Sequence, residues 1–105
     1  MGLFSFMRAP GIDAGVQEYQ NTPDAVLLDV RSAEEYREGH IPGSKNLPLH
    51  LLPSRFEELG DLTVPLFVYC LSGARSAQAV GFLKQQGFCK AKNIGGIAGY
   101  SGKVE

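Results

Sequence analysis

Cys70 closes the apolar run Leu66-Phe67-Val68-Tyr69-Cys70, and Leu71, Ser72, Gly73 and Ala74 separate it from Arg75 and Ser76. A cysteine that ends a strand, followed by a tight turn into a helix start, has the makings of an anion nest. Successive backbone N–H groups turn inward, and the helix N-terminus adds partial positive charge. Gly73 permits a backbone angle that a Cβ would resist. Such a setting favours thiolate over thiol. Arg75 adds a permanent positive charge and a planar fork for an oxyanion. The chemistry this implies is a nucleophilic sulfur whose charged products are held without a metal. The plain alternative is a strand-end cysteine packed as a small hydrophobe; the loop, Gly73 and Arg75 together favour the nucleophile.

Other reactive side chains fit supporting or structural parts. Asp29 ends a second apolar run, where a carboxylate must be paired or hydrogen-bonded. Arg31, just beyond that strand end, is open to two readings: an anion guide at a pocket rim, or a surface salt bridge with Glu34 or Glu35. His40 titrates near neutral pH, but a cysteine already held as thiolate needs no base. His50 has no partner pattern and reads as surface. Glu34, Glu35 and Glu38, with Arg37, read as the solvated face of a short polar helix rather than as paired acid–base carboxylates. Tyr69 precedes Cys70 on the strand and so points to the opposite face, into the core. Gly95-Gly96 lie in no GxGxxG or Walker pattern and read as close packing near the crevice. Cys89 lies beyond the far end of a helix of about twelve residues, roughly 18 Å long at ~1.5 Å per residue. A disulfide needs Cα atoms within about 7 Å, so Cys89 is no resolving partner for Cys70.

Elements must position these groups. The chain has 105 residues, 44% apolar and 20% charged, which suits one globular domain over residues 11–105 after a loose lead-in over 1–10. A domain of this size holds a core without metal or disulfide staples, and two cysteines cannot make a disulfide-dense secreted scaffold. The net charge of −1 argues against a nucleic-acid binder. The apolar stretch near Met1 is too short for a signal h-region or a membrane span, and its positive charge follows rather than precedes it. Cytoplasmic placement and no membrane partner are the expectations.

Asp13 is placed to cap a helix running to Tyr19 or Gln20. Ala25–Val30 reads as a strand buried on both faces. Ser32 and Glu35 form a capping box for a helix from Ala33 to Arg37. Lys45–Leu47 reads as a brief strand, and Leu49–Leu59 as a helix weakened by Pro53. Leu66–Cys70 is the second strong strand, Arg75–Gln86 the longest helix, and Gly87 with Phe88 its C-terminal cap. Lys92–Ile94 is a last short strand. Strands alternating with helices imply an α/β domain with a mainly parallel sheet. In such sheets ligands sit beyond the carboxyl ends of the strands, so Asp29–Arg31 and Cys70–Ser76 should face one crevice.

The run Cys70-Leu71-Ser72-Gly73-Ala74-Arg75-Ser76 resembles the active-site loop of rhodanese-like sulfurtransferases. Leu28-Asp29-Val30-Arg31, then Glu35-Tyr36 and Gly39-His40-Ile41-Pro42-Gly43 through Pro48, resembles that family's upstream signature. Asn93-Ile94-Gly95-Gly96-Ile97-Ala98-Gly99-Tyr100 resembles its closing motif, with Tyr100 where Trp is usual. The resemblance implies the rhodanese-like fold, a small, mainly parallel five-stranded sheet flanked by helices on both faces. It implies a persulfide relay on Cys70, with Leu71, Ser72, Gly73, Ala74, Arg75 and Ser76 as the loop that holds the persulfide. Asp29 would brace neighbouring loops, and His40 would belong to a turn that shapes the fold. No cofactor or metal is implied. The partners are a small-molecule sulfur donor, such as thiosulfate or a persulfide, and a thiol or cyanide acceptor, including a protein thiol. The absence of Lys or Arg at Leu71, Ser72 and Ala74 weakens the case for thiosulfate. Two rivals remain: a non-catalytic binding or sulfur-carrier module, and a cysteine phosphatase or arsenate reductase. Phosphatases related in fold use Cys-x5-Arg, whereas four residues stand between Cys70 and Arg75 here, a loop better sized for one sulfur.

Overall fold

The computed structural model describes residues 11–105; the expected lead-in over 1–10 lies outside the described residues. In chain order it forms α1 (Ile12–Gln20), β1 (Val26–Asp29), α2 (Ala33–Glu38) and β2 (Ser44–Asn46), then a mixed stretch over 49–59. There the 3₁₀ turns Leu49–Leu51 and Phe56–Leu59 flank α3 (Leu52–Arg55). β3 (Leu66–Cys70), α4 (Ala74–Gln85), β4 (Ala91–Gly96) and the 3₁₀ turn Ile97–Gly99 complete the fold.

The strands pair in the order β2-β1-β3-β4, all parallel. The sheet thus has four strands among the described residues, not the five that the resemblance implied. The reason is visible in the chain. Among the described residues only four segments carry strand-like runs, and the segment directly before β1 is the amphipathic helix α1, with Ile12 and Val16 buried.

The central strands are buried along their length, and alternation divides them between two cores. Leu27, Phe67 and Tyr69 point to α1 and meet Ile12, Val16, Ile41 and Ile94. Leu28, Val30, Leu66, Val68 and Cys70 point the other way, to Ala79 and Leu83 of α4 and to Leu52 and Leu59 of the 49–59 stretch. Cys70 and Tyr69 therefore lie on opposite faces. Tyr69 is fully buried, and its hydroxyl accepts from the Ile41 N–H at 3.1 Å and donates to Ser44 Oγ at 3.2 Å. That phenol crosses the sheet face to pin the turn leading into β2.

Caps explain the helix limits. Ser32 Oγ accepts from Glu35 N, and the Glu35 carboxylate accepts from Ser32 N, so both halves of the capping box form. At the end of α4 the Phe88 N–H reaches Leu83 O at 3.0 Å and the Gly87 N–H reaches Lys84 O at 3.1 Å, a Schellman closure with Phe88 in the core. α1 departs from expectation. Its cap is Gly11, and Asp13 sits inside the first turn, where its carboxylate accepts from the Ser101 N–H and hydroxyl at 2.9 and 2.6 Å. A carboxylate there still complements the helix dipole while tying down the C-terminal segment. The helix expected over 49–59 is broken because Pro53, which lacks an N–H, fits only near a helix start.

Because every strand is parallel, all carboxyl ends share one rim. Asp29 lies beside Tyr69, and Cys70 beside Gly96, across that rim. No helix among the described residues is long and apolar enough to cross a membrane.

Candidate active site

Cys70 sits where β3 ends, and α4 begins four residues later at Ala74. Gly73 caps α4 with φ +106, in the left-handed region that a side chain resists. This reversal turns the loop back over the sulfur. The Gly73 N–H donates to Cys70 Sγ at 3.0 Å and the Ser76 N–H at 3.4 Å, while Ser76 Oγ stands 3.3 Å away. Cys70 is 1% exposed and Ser76 is fully buried. Burial alone would push the thiol up. The Ser76 hydroxyl and the N–H groups of Ser76, Gly73 and Ser72 outweigh it, so the thiol lies below its ordinary value.

β4 and the 3₁₀ turn after it hold the loop from outside. The Ala98 N–H donates to Leu71 O at 3.1 Å. A Cβ on Gly96 would lie 2.6 Å from both the Leu71 carbonyl carbon and Ser72 Cα, so only glycine lets β4 approach this closely. The register shifts between Val68 and Tyr69: Val68 faces Asn93 and Tyr69 faces Gly95, leaving Ile94 as an extra residue on β4. Such bulges re-aim side chains near functional sites. Asn93 Nδ2 donates to Gly73 O at 3.1 Å, and its Oδ1 accepts from the Gly95 N–H at 3.0 Å and from Ser76 Oγ at 2.7 Å.

Arg75 does not aim an open fork at the sulfur. Its Nη1 and Nη2 donate to the two oxygens of Glu35 at 2.7 and 3.0 Å. Arg75 holds the Glu35 carboxyl down at about 2, against a weaker opposing push from burial. Glu35 is thus not part of a plain solvated face; it joins α2 to the first turn of α4.

Arg31 takes neither of the positions read from the sequence. It is 5% exposed, and its partner is Asp29 rather than Glu34 or Glu35. Arg31 Nε donates to both Asp29 oxygens at 3.1 Å, Nη2 to Oδ2 at 2.8 Å, and the Arg31 N–H to Oδ1 at 2.8 Å. Nη2 continues to Gly39 O at 2.7 Å. The short separation in sequence explains the outcome: the chain turns after β1, and a carboxylate two residues back is the nearest satisfier of a buried guanidinium. His40 lies in the same corner, stacked on Tyr36 with ring centroids 3.8 Å apart and Nδ1 at 2.8 Å from Tyr36 O.

The structure therefore gathers Cys70, Ser72, Gly73 and Ser76 about one sulfur, sets Leu71, Ala74 and Arg75 around them, and places Asp29 and Arg31 in a separate buried brace. Glu35 and Asn93 are the members that sequence reasoning misses. Beside the loop lies an open cleft of about 700 Å³ bordered by Leu71, Ser72, Ile94, Gly95 and Gly96, and among the described residues no charged side chain lines it. Leu71 stands at its edge, 46% exposed. Both cysteines are free, and Cys89 is exposed. Among the described residues no group of three or more His, Cys, Asp or Glu side chains gathers to hold a metal.

The pattern of the rhodanese-like domain matches residues 14–103. A protein of Allochromatium vinosum named "Sulfurtransferase" is 40% identical over 86 residues, covering 81% of this chain and 79% of its own. "Thiosulfate sulfurtransferase GlpE" of Pseudomonas savastanoi is 39% identical, covering 90% of this chain and 85% of its own. The "Putative sulfur carrier protein YrkF" of Bacillus subtilis is 36% identical over 90% of this chain, which spans about half of that relative's length (51%). Among solved structures, a rhodanese-like domain protein from Staphylococcus aureus superposes with a TM-score of 0.78 at 27% identity, covering 91% of this chain and 94% of its own.

Proposed function

Because the chain belongs to the rhodanese-like domain family, we propose that it is a sulfurtransferase carrying sulfane sulfur as a persulfide on Cys70. One observation supports this reading above the rest: two N–H groups and one hydroxyl converge on Cys70 Sγ. They hold a thiolate ready to attack sulfur.

In the first step the Cys70 thiolate attacks the outer sulfur of a donor. The new S–S bond forms as the donor's own bond to that sulfur breaks, and the bonding pair leaves on the donor. The transferred sulfur then carries the negative charge. The first N–H groups of α4 lack intrahelical acceptors and are the natural donors to it. In the second step a thiolate or cyanide attacks the outer sulfur, and the bonding pair returns to Cys70 Sγ. Covalent, two-step transfer of this kind has ping-pong kinetics.

The closed Arg75–Glu35 pair, and a cleft to which the described residues bring no charge, favour a persulfide donor over the thiosulfate dianion. The acceptor is a thiol, on a small molecule or on a protein. Cys70 must return to a free thiol between turnovers, which a reducing compartment such as the cytoplasm provides. A carrier module, which loads sulfur without turning over, is the second reading; the sulfur-carrier relative favours it.

Mass spectrometry of protein isolated without reductant, then treated with donor, tests the assignment. One added sulfur on Cys70 is expected, lost again on addition of a thiol. Cys70→Ser should abolish loading, whereas Cys89→Ser should leave turnover within about twofold, as a distant site does. Loading on Cys89 alone, or full turnover by Cys70→Ser, overturns the proposal. Loading without turnover selects the carrier.

A further inference from the structure

Ser76 Oγ carries one proton and stands near three acceptors: Asn93 Oδ1 at 2.7 Å, Gly73 O at 3.1 Å and Cys70 Sγ at 3.3 Å. Gly73 O already accepts from the Ala77 N–H and from Asn93 Nδ2, both at 3.1 Å, which occupies its two lone pairs. The competition is therefore between Asn93 and Cys70. The Asn93 amide is fixed in orientation. Turned over, its NH₂ would face the Gly95 N–H, donor against donor, and its oxygen would face the Gly73 carbonyl.

We propose that Asn93 is a positioning residue that sets the state of Cys70 by competing for the Ser76 proton. When Cys70 is a thiol, its S–H donates to Ser76 Oγ, and the Ser76 hydroxyl donates to Asn93 Oδ1. When Cys70 is a thiolate, the hydroxyl rotates and donates to Sγ. No proton leaves Ser76 in either state; only its direction changes.

The inference rests on the persulfide reading for its place in the cycle. On loading, Sγ changes from an anion to a neutral sulfur, and the hydroxyl swings to Asn93. On discharge the bonding pair returns to Sγ, and the hydroxyl swings back to meet the charge. Asn93 thus gives the proton somewhere to wait, so the buried hydroxyl is satisfied in both states.

Among the described residues the charged groups around the cradle are Arg75 at the start of α4, its partner Glu35 on α2, and the Asp29–Arg31 pair at the end of β1. None is altered by the variants that test the proposal. The readout is the rate of Cys70 alkylation against pH in a Cys89→Ser background, which needs no sulfur donor. Ser76→Ala should raise the apparent Cys70 pKa by about one unit, the size of one hydrogen bond to a charged sulfur. Asn93→Ala removes the competitor and should lower it by roughly half a unit. Asn93→Asp keeps the acceptor, strengthens it and adds charge, so it should raise the value. In a Ser76→Ala background, Asn93→Ala should have no effect.

A side chain that merely braced the loop would shift the value the same way in Asn93→Ala and Asn93→Asp, with or without the Ser76 hydroxyl. That pattern, or no shift in either Asn93 variant, overturns the proposal. Should Asn93→Ala fail to fold, the near-isosteric Asn93→Asp decides alone: an unchanged or lowered value refutes the competition. If the variants show this alkylation pattern while the wild-type protein takes up no sulfur, the persulfide reading is refuted and the Asn93–Ser76 competition stands.

Discussion

Arg75 grips Glu35 through both terminal nitrogens, at 2.7 and 3.0 Å, and so ties the first turn of α4 to the first turn of α2. The same carboxylate accepts from the Ser32 N–H at 3.0 Å. One side chain thus caps one helix and anchors the start of another. Forty residues of sequence separate the partners, yet their contact fixes the angle at which α4 presents its N-terminus to Cys70.

This pair predicts an acid-sensitive window. The folded Glu35 carboxyl is held at about 2, against 4.5 for the free group. Between those values the unfolded chain takes up a proton that the folded chain refuses, so stability falls as pH falls and is fully present above the window. The pair is partly exposed, so solvent screening keeps the effect modest. Urea unfolding midpoints measured from pH 4.5 to about 2 should drop more steeply for wild type than for Glu35→Gln. Equal slopes would show that the pair contributes nothing to stability.

Asp29 predicts a larger and simpler loss. Asp29→Ala leaves the Arg31 guanidinium buried without its carboxylate, which costs about 3 to 5 kcal/mol in comparable buried pairs. Chemical denaturation should show a loss of that order, and the double variant Asp29→Ala with Arg31→Met should recover much of it. A single variant as stable as wild type would mean that Arg31 finds water or another acceptor at no cost.

Gly96 predicts a loss of activity without loss of fold. In Gly96→Ala the new methyl meets the Leu71 carbonyl and Ser72, so the loop must move off the sulfur. Displacing a single donor of this kind costs about 10² to 10³ in rate. Sulfur loading should fall at least tenfold while circular dichroism stays native. Gly81→Ala is the control, because a Cβ there meets nothing within 4 Å; it should stabilise α4 by about 0.5 to 1 kcal/mol and leave loading intact.

Loop width is the fourth prediction. Inserting a glycine after Ser72 gives Cys-x5-Arg spacing and separates the donors that now meet at Sγ. Sulfur transfer should fall at least tenfold, with trace hydrolysis of an aryl phosphate appearing, given how sensitive such donors are to displacement. A folded insertion variant with full sulfur transfer would remove the physical basis for setting phosphatase chemistry aside.

Much of this architecture is legible in the chain because it follows from local rules. The apolar runs ending at Asp29 and Cys70 are strands buried on both faces, and the Ser32–Glu35 capping box forms in full. Gly73 at the turn after Cys70 foretells the reversal that wraps the sulfur. What escapes the sequence depends on tertiary proximity. The Glu35 carboxylate finds Arg75 only once the fold brings the first turns of α2 and α4 within reach of each other. Asn93 reads as one more polar residue in a short strand, and only the bulge at Ile94 shows where its amide lands. Arg31 is open to two exposed roles in the sequence because nothing in the chain says that the turn after β1 folds inward. The fifth strand is implied by likeness to a family alone, and no apolar run in the described chain answers to it.

The shared direction of the strands has an engineering consequence. The groups that cradle the Cys70 sulfur lie on the carboxyl rim, and β3 alone, at about 3.3 Å per residue, sets that rim ~15 Å from the opposite edge. The turns over 21–25, 61–65 and 87–90 all lie on that far edge. The first two are the joints at which a second polypeptide can be grafted, or a surface tether attached, while the sulfur cradle keeps its shape; the third carries the Gly87–Phe88 cap of α4 and is best left alone. The domain has a working end and a handle.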